Sequence, residues 1–259
     1  MGVRINTNVE ALNAQRNLSM TGLQFGKSVE KLSSGLRINR AADDAAGLAI
    51  SEKLRAQVRG LNQAARNAQD GISMVQTAEG ALNEVHSMLQ RIRELAVQYA
   101  NGTNDGDSQT SISAEVDQLQ QAISDIATNT KFNGVALLTG GNTITFQVGA
   151  DAGQTLDVTF GNVDTSTAVV TDIQTVDTAI AAISTLRGTF GAAQNRLEHT
   201  VASLGVAAEN LAASESRIRD LDIAQEMVTF TKTQILQQAG VAILAQANQA
   251  PQSVLALLR

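Results

Sequence analysis

Apolar side chains recur every three or four residues over long stretches of this chain. From Leu54 to Tyr99 the steps of four and three continue with one extra step of three, and a turn rich in Asn, Gly and Asp follows. This pattern predicts one helix over residues 45–100. The same period predicts further helices over 111–129 and 175–217. Elements of this length indicate a mainly α protein.

The period changes to two in the middle of the chain. Two short runs alternate apolar and polar side chains, and the residues G-A-D-A-G-Q separate them. Their apolar positions are Ile144, Phe146, Val148, Leu156, Val158 and Phe160. This arrangement predicts a β-hairpin over residues 142–162 with one apolar face.

The two ends of the chain carry amphipathic patterns of different charge. No charged residue occurs between Thr233 and Leu258, although 17% of the chain is charged. Side-chain amides spread through this stretch exclude a transmembrane helix, because each would need a partner in hydrocarbon. Residues 5–36 are amphipathic with a basic balance, and each stretch alone would expose a long apolar stripe. We therefore expect the two to pair. The residues predicted to pack there are Ile5, Val9, Leu12, Leu18, Phe25, Leu32, Met227, Phe230, Ile235, Val241, Leu244, Val254, Leu255 and Leu258.

These elements predict two domains. Residues 1–44 and 219–259 form a terminal helical domain, and residues 45–218 form a rod with the hairpin. The expected fold is mainly α, with long antiparallel helices or a coiled coil folded back on itself. The hairpin then lies at the far end and both termini lie at the other.

Composition narrows the possible functions. The chain has 43% hydrophobic and 3% aromatic residues and one proline, which favours long uninterrupted helices over a pocketed globule. Its net charge of -6 argues against a nucleic-acid partner, since no basic surplus exists to neutralise phosphates. The lack of cysteine excludes disulfide and thiolate–metal scaffolds. Residues 1–20 lack the apolar core of a secretory signal, so we expect no cleaved signal peptide.

No set of residues has the spacing of a catalytic, cofactor or metal site. His86 and His199 are far apart, and neither belongs to H-E-x-x-H. The pair Asp43 and Asp44 follows two arginines and is expected to form local ion pairs rather than a catalytic dyad. Residues 104–107 lack the glycine and ligand spacing of a calcium loop. We therefore expect no enzyme, no cofactor and no metal.

Three motifs resemble a known family. They are R-I-N-T-N at residues 4–8, L-S-S-G-L-R-I-N-R-A-A-D-D-A-A-G-L-A-I at 32–50, and A-Q-A-N-Q-A-P-Q-S-V-L-A-L-L-R at 245–259. Together and in this order they resemble the terminal signatures of bacterial flagellins, across nearly the whole chain. The resemblance implies a short flagellin with an inner helical tube and an outer helical rod, without the variable outer domains.

The same resemblance implies partners and a location. It implies an open homopolymer in the extracellular flagellar filament, exported unfolded through a channel that the inner helices line. A wall of Gln and Asn without charge would stay wetted without holding a passing chain. The implied partners are further copies of the chain, an export chaperone, the filament cap and hook-junction proteins, with no nucleic acid and no membrane.

A narrower resemblance concerns Q-R-I-R-E-L-A-V-Q at residues 90–98. It resembles the segment of flagellins that toll-like receptor five recognises in animal hosts. The resemblance implies recognition through Gln90, Arg91 and Leu95, with Glu115 contributing from the next helix. Arg91 and Leu95 are four residues apart, so we expect both on the outer surface of one helix.

Two other functions remain open at this point. A hook–filament junction protein of the same family would share the terminal helices, and its low copy number would distinguish it from a filament subunit. A membrane-active amphipathic protein would need cations along the last helix, and that helix has none before Arg259.

Overall fold

The computed structural model of the chain describes residues 7–163 and 171–257, the last eight of these without their side chains. Over these residues the elements are α1 (Val9–Ser34), α2 (Ala45–Tyr99), α3 (Gly106–Asn129), β1 (Lys131–Phe132), β2 (Val135–Ala136), β3 (Thr143–Gln147), β4 (Thr155–Thr159), α4 (Ile173–Arg219) and α5 (Ile223–Leu257). The chain divides into two compact units. Residues 1–55 and 211–259 form the terminal unit, and residues 56–210 form the central unit.

The long helices of the central unit run antiparallel. On α2 and α4, Arg93 Nε lies 2.5 Å from a carboxylate oxygen of Asp177, whereas Glu79 lies 3.8 Å from Arg187. Residue numbers thus fall along α2 as they rise along α4. The predicted fold class is confirmed: the protein is mainly α, with long antiparallel helices and a small antiparallel strand region.

The hydrophobic core of the central unit brings α2, α3, α4 and the strands together. The rings of Phe160 and Phe190 pack with centroids 5.3 Å apart, and both are fully buried. Other fully buried large side chains are Val75, Leu82, Leu89, Ile92, Ile123, Leu137, Leu138 and Leu197. Aromatic residues are scarce, so interdigitated Leu, Ile and Val supply most of the buried apolar surface.

Helix α3 begins at Gly106, five residues before the predicted start at 111. The reason is an N-cap: Asp105 Oδ1 accepts a hydrogen bond from the backbone N–H of Ser108 at 2.8 Å. Hydrogen bonds from Ser108 lower the pKa of the Asp105 carboxyl below its ordinary 3.8. The first turn of α3 consists of polar residues and glycine, so the spacing of apolar residues does not show where the helix begins.

A second, shorter hairpin follows α3, in a stretch for which the periodicity predicts no element. Strands β1 and β2 pair antiparallel, with Lys131 opposite Ala136 and Phe132 opposite Val135. Asn133 and Gly134 join them with φ angles of 48° and 81°. Positive φ at both positions belongs to the type I′ turn, which Asn-Gly favours.

The β3–β4 hairpin packs along one face of α2. Phe146 ring carbons lie 3.2 Å from the position that a Cβ on Gly71 would take, and Ala150 crowds Gly60 in the same way. Between these two contacts, Asn67 Nδ2 donates a 3.0 Å hydrogen bond to the carbonyl of Gln147. Eleven residues make three turns of helix, so the two glycines share a face and allow the hairpin to approach closely.

The Asp105 cap predicts an acid-dependent stability. Because the folded-state pKa is lowered, the ionised carboxylate stabilises the fold above the ordinary value of 3.8, and this contribution is lost as pH falls through the lower folded value. We expect Asp105→Ala to lower the melting temperature at neutral pH, by circular dichroism, and the difference from wild type to shrink in acid. Asp117→Ala on the same helix is the control and should change little. Equal melting of wild type and Asp105→Ala at neutral pH would contradict the capping role.

Candidate assembly and recognition surfaces

Helices α1 and α5 pack against each other in the terminal unit as an antiparallel pair, here called the terminal pair. Near one end the rings of Phe25 and Phe230 stack with centroids 5.0 Å apart. Near the other, Asn8 Nδ2 donates a 2.7 Å hydrogen bond to the carbonyl of Ala247. The less exposed positions of each helix follow steps of three and four, and many are small or polar. They are Ala11, Ala14, Leu18, Thr21, Phe25, Ser28 and Leu32 on α1, and Phe230, Thr233, Gln237, Gly240, Leu244 and Ala247 on α5.

The structure places the residues predicted for helix packing in three groups. Leu18, Phe25, Leu32, Phe230 and Leu244 are half-buried along the line of closest approach. Val9, Leu12, Met227, Ile235 and Val241 are exposed. Ile5, Val254, Leu255 and Leu258 lie outside the residues whose side chains are described.

The sequence pattern missed the residues that allow close approach. Thr233 is buried, and its hydroxyl donates to the carbonyls of Thr229 and Phe230 within α5. A Cβ on Gly240 would lie 3.1 Å from Leu18 Cδ1, so the glycine accepts this leucine. The spacing of large apolar residues does not reveal these positions, because the close approach of α1 and α5 requires small side chains there.

The outer faces of the terminal pair are apolar and uncovered in the single chain. Leu23 on α1 is 72% exposed, and Val228 and Ile235 on α5 are 70% and 59% exposed. Isolated exposed apolar residues are common, but a row along both helices marks an interaction surface.

Two helix ends in the terminal unit are bonded to each other through their backbones. We call residues 35–47 and 218–222 the joint. The Arg37 N–H donates to the Arg219 carbonyl at 2.7 Å, and the Leu221 N–H donates to the Gly35 carbonyl at 3.0 Å. The Arg37 guanidinium adds two bonds to the Ile218 carbonyl, at 2.6 and 3.1 Å. Lone carbonyls at the end of α4 are thereby satisfied.

Asp43 and Asp44 serve the backbone of the joint, so the expected local ion pairs with arginine are wrong. Asp43 accepts hydrogen bonds from the N–H groups of Asn39 and Arg40, and the bond from Arg40 lowers the pKa of the Asp43 carboxyl. Asp44 caps the first turn of α2 through the Gly47 N–H at 2.8 Å. Carboxylates beside short loops often accept from backbone N–H groups, and this competes with pairing to a nearby arginine.

A three-residue charge cluster joins α2 and α3 at the surface. Arg91 Nε and Nη2 both donate to Glu115 Oε1, at 3.0 and 2.9 Å, and Nη1 donates to Glu94 Oε2 at 3.1 Å. These bonds, first of all those to Glu115, raise the pKa of Arg91 above its ordinary range, so it is charged at every working pH. The structure therefore brings Arg91 and Glu115 together, as the motif implied, and leaves Gln90 exposed beside them.

Leu95 is not on this surface, and its predicted exposure is wrong. Its side chain is 1% exposed and belongs to the core of the central unit. The buried positions of α2 include Ile92 and Ala96, and Leu95 lies on the other side of Ile92 from Ala96, at the edge of a wide apolar face. A spacing of four residues places two side chains near each other, but here the edge of the buried face falls between them.

The described residues contain no group of three His, Asp or Glu side chains arranged to hold a metal ion. His86 Nε2 lies 2.9 Å from the Gln90 amide nitrogen four residues later on α2. Within the same described part of the chain, no helix has the length and hydropathy needed to span a membrane.

Comparison with known proteins explains this arrangement. Residues 5–143 match the bacterial flagellin N-terminal helical region, and residues 173–258 match the bacterial flagellin C-terminal helical region. The chain belongs to the bacterial flagellin family. This flagellin is 54% identical over 270 residues to the flagellin of Halalkalibacterium halodurans, covering 98% of this chain and 99% of the relative. It is 47% identical over 304 residues to that of Bacillus subtilis, covering 99% and 100%.

Two further relatives bear on the fold and the role. A flagellar filament 33 kDa core protein of Treponema phagedenis is 50% identical over 284 residues, covering 98% of this chain and 99% of the relative. The crystal structure of Bacillus cereus flagellin covers 58% of this chain and 94% of its own, with 34% identity and a TM-score of 0.50. The resemblance drawn from the terminal motifs is confirmed, and this flagellin is a structural protein of the bacterial flagellar filament rather than an enzyme.

The joint predicts opposite effects of alanine at two glycines of α2. A Cβ on Gly47 would collide with the Asp44 carboxylate and would lie 2.9 Å from Ile38 Cδ1, whereas nothing lies within 4 Å at Gly80. We expect Gly47→Ala to lower the melting temperature and Gly80→Ala to raise it, since alanine in an open helical position gains up to about 1 kcal/mol over glycine. Chemical denaturation of the two variants measures the difference. Stabilisation by both substitutions would show that the close packing around Gly47 is unimportant.

Proposed function

We propose that this flagellin polymerises through its terminal pair, which forms the inner layer of the filament with the pairs of neighbouring copies. The observation that carries the proposal is the row of exposed apolar side chains on both α1 and α5, with Leu23 and Val228 the most exposed. Burying such a row against other copies gains roughly 25 cal/mol for each square ångström removed from water. Within the described part of a single copy, these side chains stay exposed.

The composition of α5 supports a place at the inner wall of the polymer. Between Thr233 and Leu258 the chain has glutamines and an asparagine but no charge. A surface of neutral amides holds water and exerts no long-range attraction on a charged chain moving past it. We infer that part of this face lines the channel through which later subunits travel unfolded to the growing tip.

Export in an unfolded state is compatible with a chain that has few slow folding steps. It has no cysteine to oxidise and one proline to isomerise, and most of its residues lie in helices, whose backbone hydrogen bonds are local. Chains rich in local contacts fold quickly once released. Before release the apolar rows of α1 and α5 need cover, which is the role we assign to an export chaperone. The filament cap and the hook-junction proteins would meet the same rows at the two ends of the polymer.

The assembly role is tested by charges placed on the exposed apolar row. We expect the double variant Val228→Glu with Ile235→Glu to fold as wild type, because both side chains are exposed, and to lose seeded filament growth. Gln234→Glu with Gln238→Glu adds the same charge to the same helix at exposed polar positions and is the matched control. Electron microscopy and pelleting measure growth, and circular dichroism measures folding. Normal filaments from the first variant would place the assembly surface elsewhere.

We further propose that an animal toll-like receptor recognises the surface around Arg91. The support is the resemblance of residues 90–98, together with the exposed cluster of Arg91, Glu94 and Glu115. The guanidinium is already oriented by two carboxylates, so a receptor carboxylate or backbone carbonyl meets a donor that has lost little freedom. Gln90 extends the surface. Leu95 acts from beneath, by packing the helix that carries Arg91.

The receptor proposal is tested with a neighbouring arginine as control. We expect Arg91→Ala to weaken monomer signalling in a reporter-cell dose response and to leave the melting temperature nearly unchanged, because exposed ion pairs contribute little. Arg93→Ala removes a similar exposed pair, with Asp177 on another face, and should signal as wild type. Filament growth of Arg91→Ala, measured alongside, reports whether the same surface serves assembly. Identical dose responses for both variants and wild type would end the receptor proposal.

A further inference from the structure

Charge is divided unevenly between the two units. The central unit, residues 56–210, holds seven of the 19 Lys and Arg residues but sixteen of the 25 Asp and Glu residues. A polymer brings many copies of this unit close together, and like charges at close range oppose packing. Contacts between copies are therefore more stable if they place unpaired arginine side chains of the central unit against its carboxylates.

Helix α3 presents an acidic outer face. Its four charged residues, between Gly106 and Asn129, are all acidic. Ile112, Val116 and Ile123 are buried on the inner side of the helix. Asp107, Asp117 and Asp125 are exposed on the opposite side, spaced by about 15 and 12 Å along the axis at 1.5 Å per residue. Glu115 is held by Arg91, but these three aspartates have no cationic partner among the described residues.

Helix α2 presents a complementary stripe at a distance from α3. Arg59 and Arg66 are exposed and seven residues apart, which places them on one face about 10 Å from each other. Arg66 donates to the Gln63 side chain at 2.6 and 3.2 Å. Neither arginine forms an ion pair within the described part of the chain. Both are free to meet carboxylates of another molecule.

The two faces cannot satisfy each other within one copy. The Arg91–Glu115 ion pair fixes the level at which the antiparallel helices α2 and α3 meet. From that pair, Asp125 lies ten residues along α3 and therefore near the level of residue 81 on α2. Arg66 is fifteen residues farther, roughly 22 Å at 1.5 Å per residue. This distance is far beyond the reach of an ion pair.

We propose that in the filament the outer face of α3 in one copy docks on the Arg59–Arg66 stripe of α2 in the next copy. The proposal rests on the polymerisation proposed above and names one contact within it. Asp117 and Asp125 are spaced by about 12 Å along α3, and Arg59 and Arg66 by about 10 Å along α2, a difference that flexible arginine side chains can span. Two different surfaces of one unit meet, and such a heterologous contact continues indefinitely as an open helical polymer requires.

This contact acts chiefly on orientation and growth rate. Exposed ion pairs individually stabilise little, but complementary surfaces steer an incoming subunit and disfavour wrong registers. Its contribution weakens with salt, because the screening length is about 10 Å at 0.1 M and about 3 Å at 1 M.

The test uses two charge-reversed proteins and their mixture. The first carries Asp117→Lys and Asp125→Lys, and the second carries Arg59→Glu and Arg66→Glu. From wild-type seeds at low salt we expect each alone to elongate about tenfold more slowly than wild type. In an equimolar mixture, alternation of the two proteins places an opposite charge against every α3 face, so growth returns to near the wild-type rate. The defect of each protein alone shrinks in high salt.

The control carries Glu198→Lys and Glu209→Lys, which change the net charge as much as the first variant but lie at exposed positions of α4. It should elongate as wild type, and circular dichroism confirms that all variants are folded. A slowing of the control equal to that of the first variant, or a mixture that grows no faster than its components, overturns the docking. Unaffected growth of both reversed proteins does so as well. If wild type itself fails to elongate, the proposed polymerisation is what fails.

Discussion

The terminal helices depend on a short backbone ladder between two helix ends. Gly35 and Arg37 exchange hydrogen bonds with Leu221 and Arg219, so the end of α1 and the start of α5 are fixed side by side. The two helices leave this point together and must run antiparallel. Partly exposed ion pairs lie beside the ladder, since Arg219 pairs with Glu52 at 2.5 Å and Arg55 pairs with Glu215 at 3.2 Å. Without this anchor, a contact built from small and polar side chains would not choose one register.

The two units differ in how they are stabilised, and the difference suits a polymer subunit. Large buried apolar side chains are concentrated in the central unit, whereas the terminal pair buries Ser28 and Thr233 and keeps Phe25 and Phe230 half-exposed. Net stability is a small difference between burial and ordering entropy. The central unit buries enough apolar surface in its own core to outweigh the entropy lost on ordering. In the proposed assembly the terminal pair gains much of its burial only when other copies arrive, which couples its order to assembly.

Long-range periodicity predicted the helices and the β3–β4 hairpin well, because burial repeats at 3.6 or two residues whatever the tertiary contacts are. Periodicity failed where a small or polar residue determines a helix start, a turn or a close contact. Asp105 caps the start of α3, Asn133 and Gly134 form a hairpin turn, and Gly240 leaves room for Leu18. None of these residues contributes to the pattern of large apolar positions. The predicted exposure of Leu95 was wrong for a different reason. Its neighbours show that α2 is amphipathic, but the width of the buried face depends on which helices and strands lie against it.

The glycines of α2 bear on the order in which this flagellin folds. Gly60 and Gly71 accept the β3–β4 hairpin, and each costs an isolated helix about 1 kcal/mol relative to alanine. With Gly47 and Gly80 they divide the longest helix of the described chain into segments too weak to persist alone. We expect the full helix to persist only once strands more than seventy residues later in the chain pack against it. Under the export proposed above, a travelling chain lacks a stiff helical rod that would jam a narrow passage, and the same glycines make the completed helix depend on the hairpin.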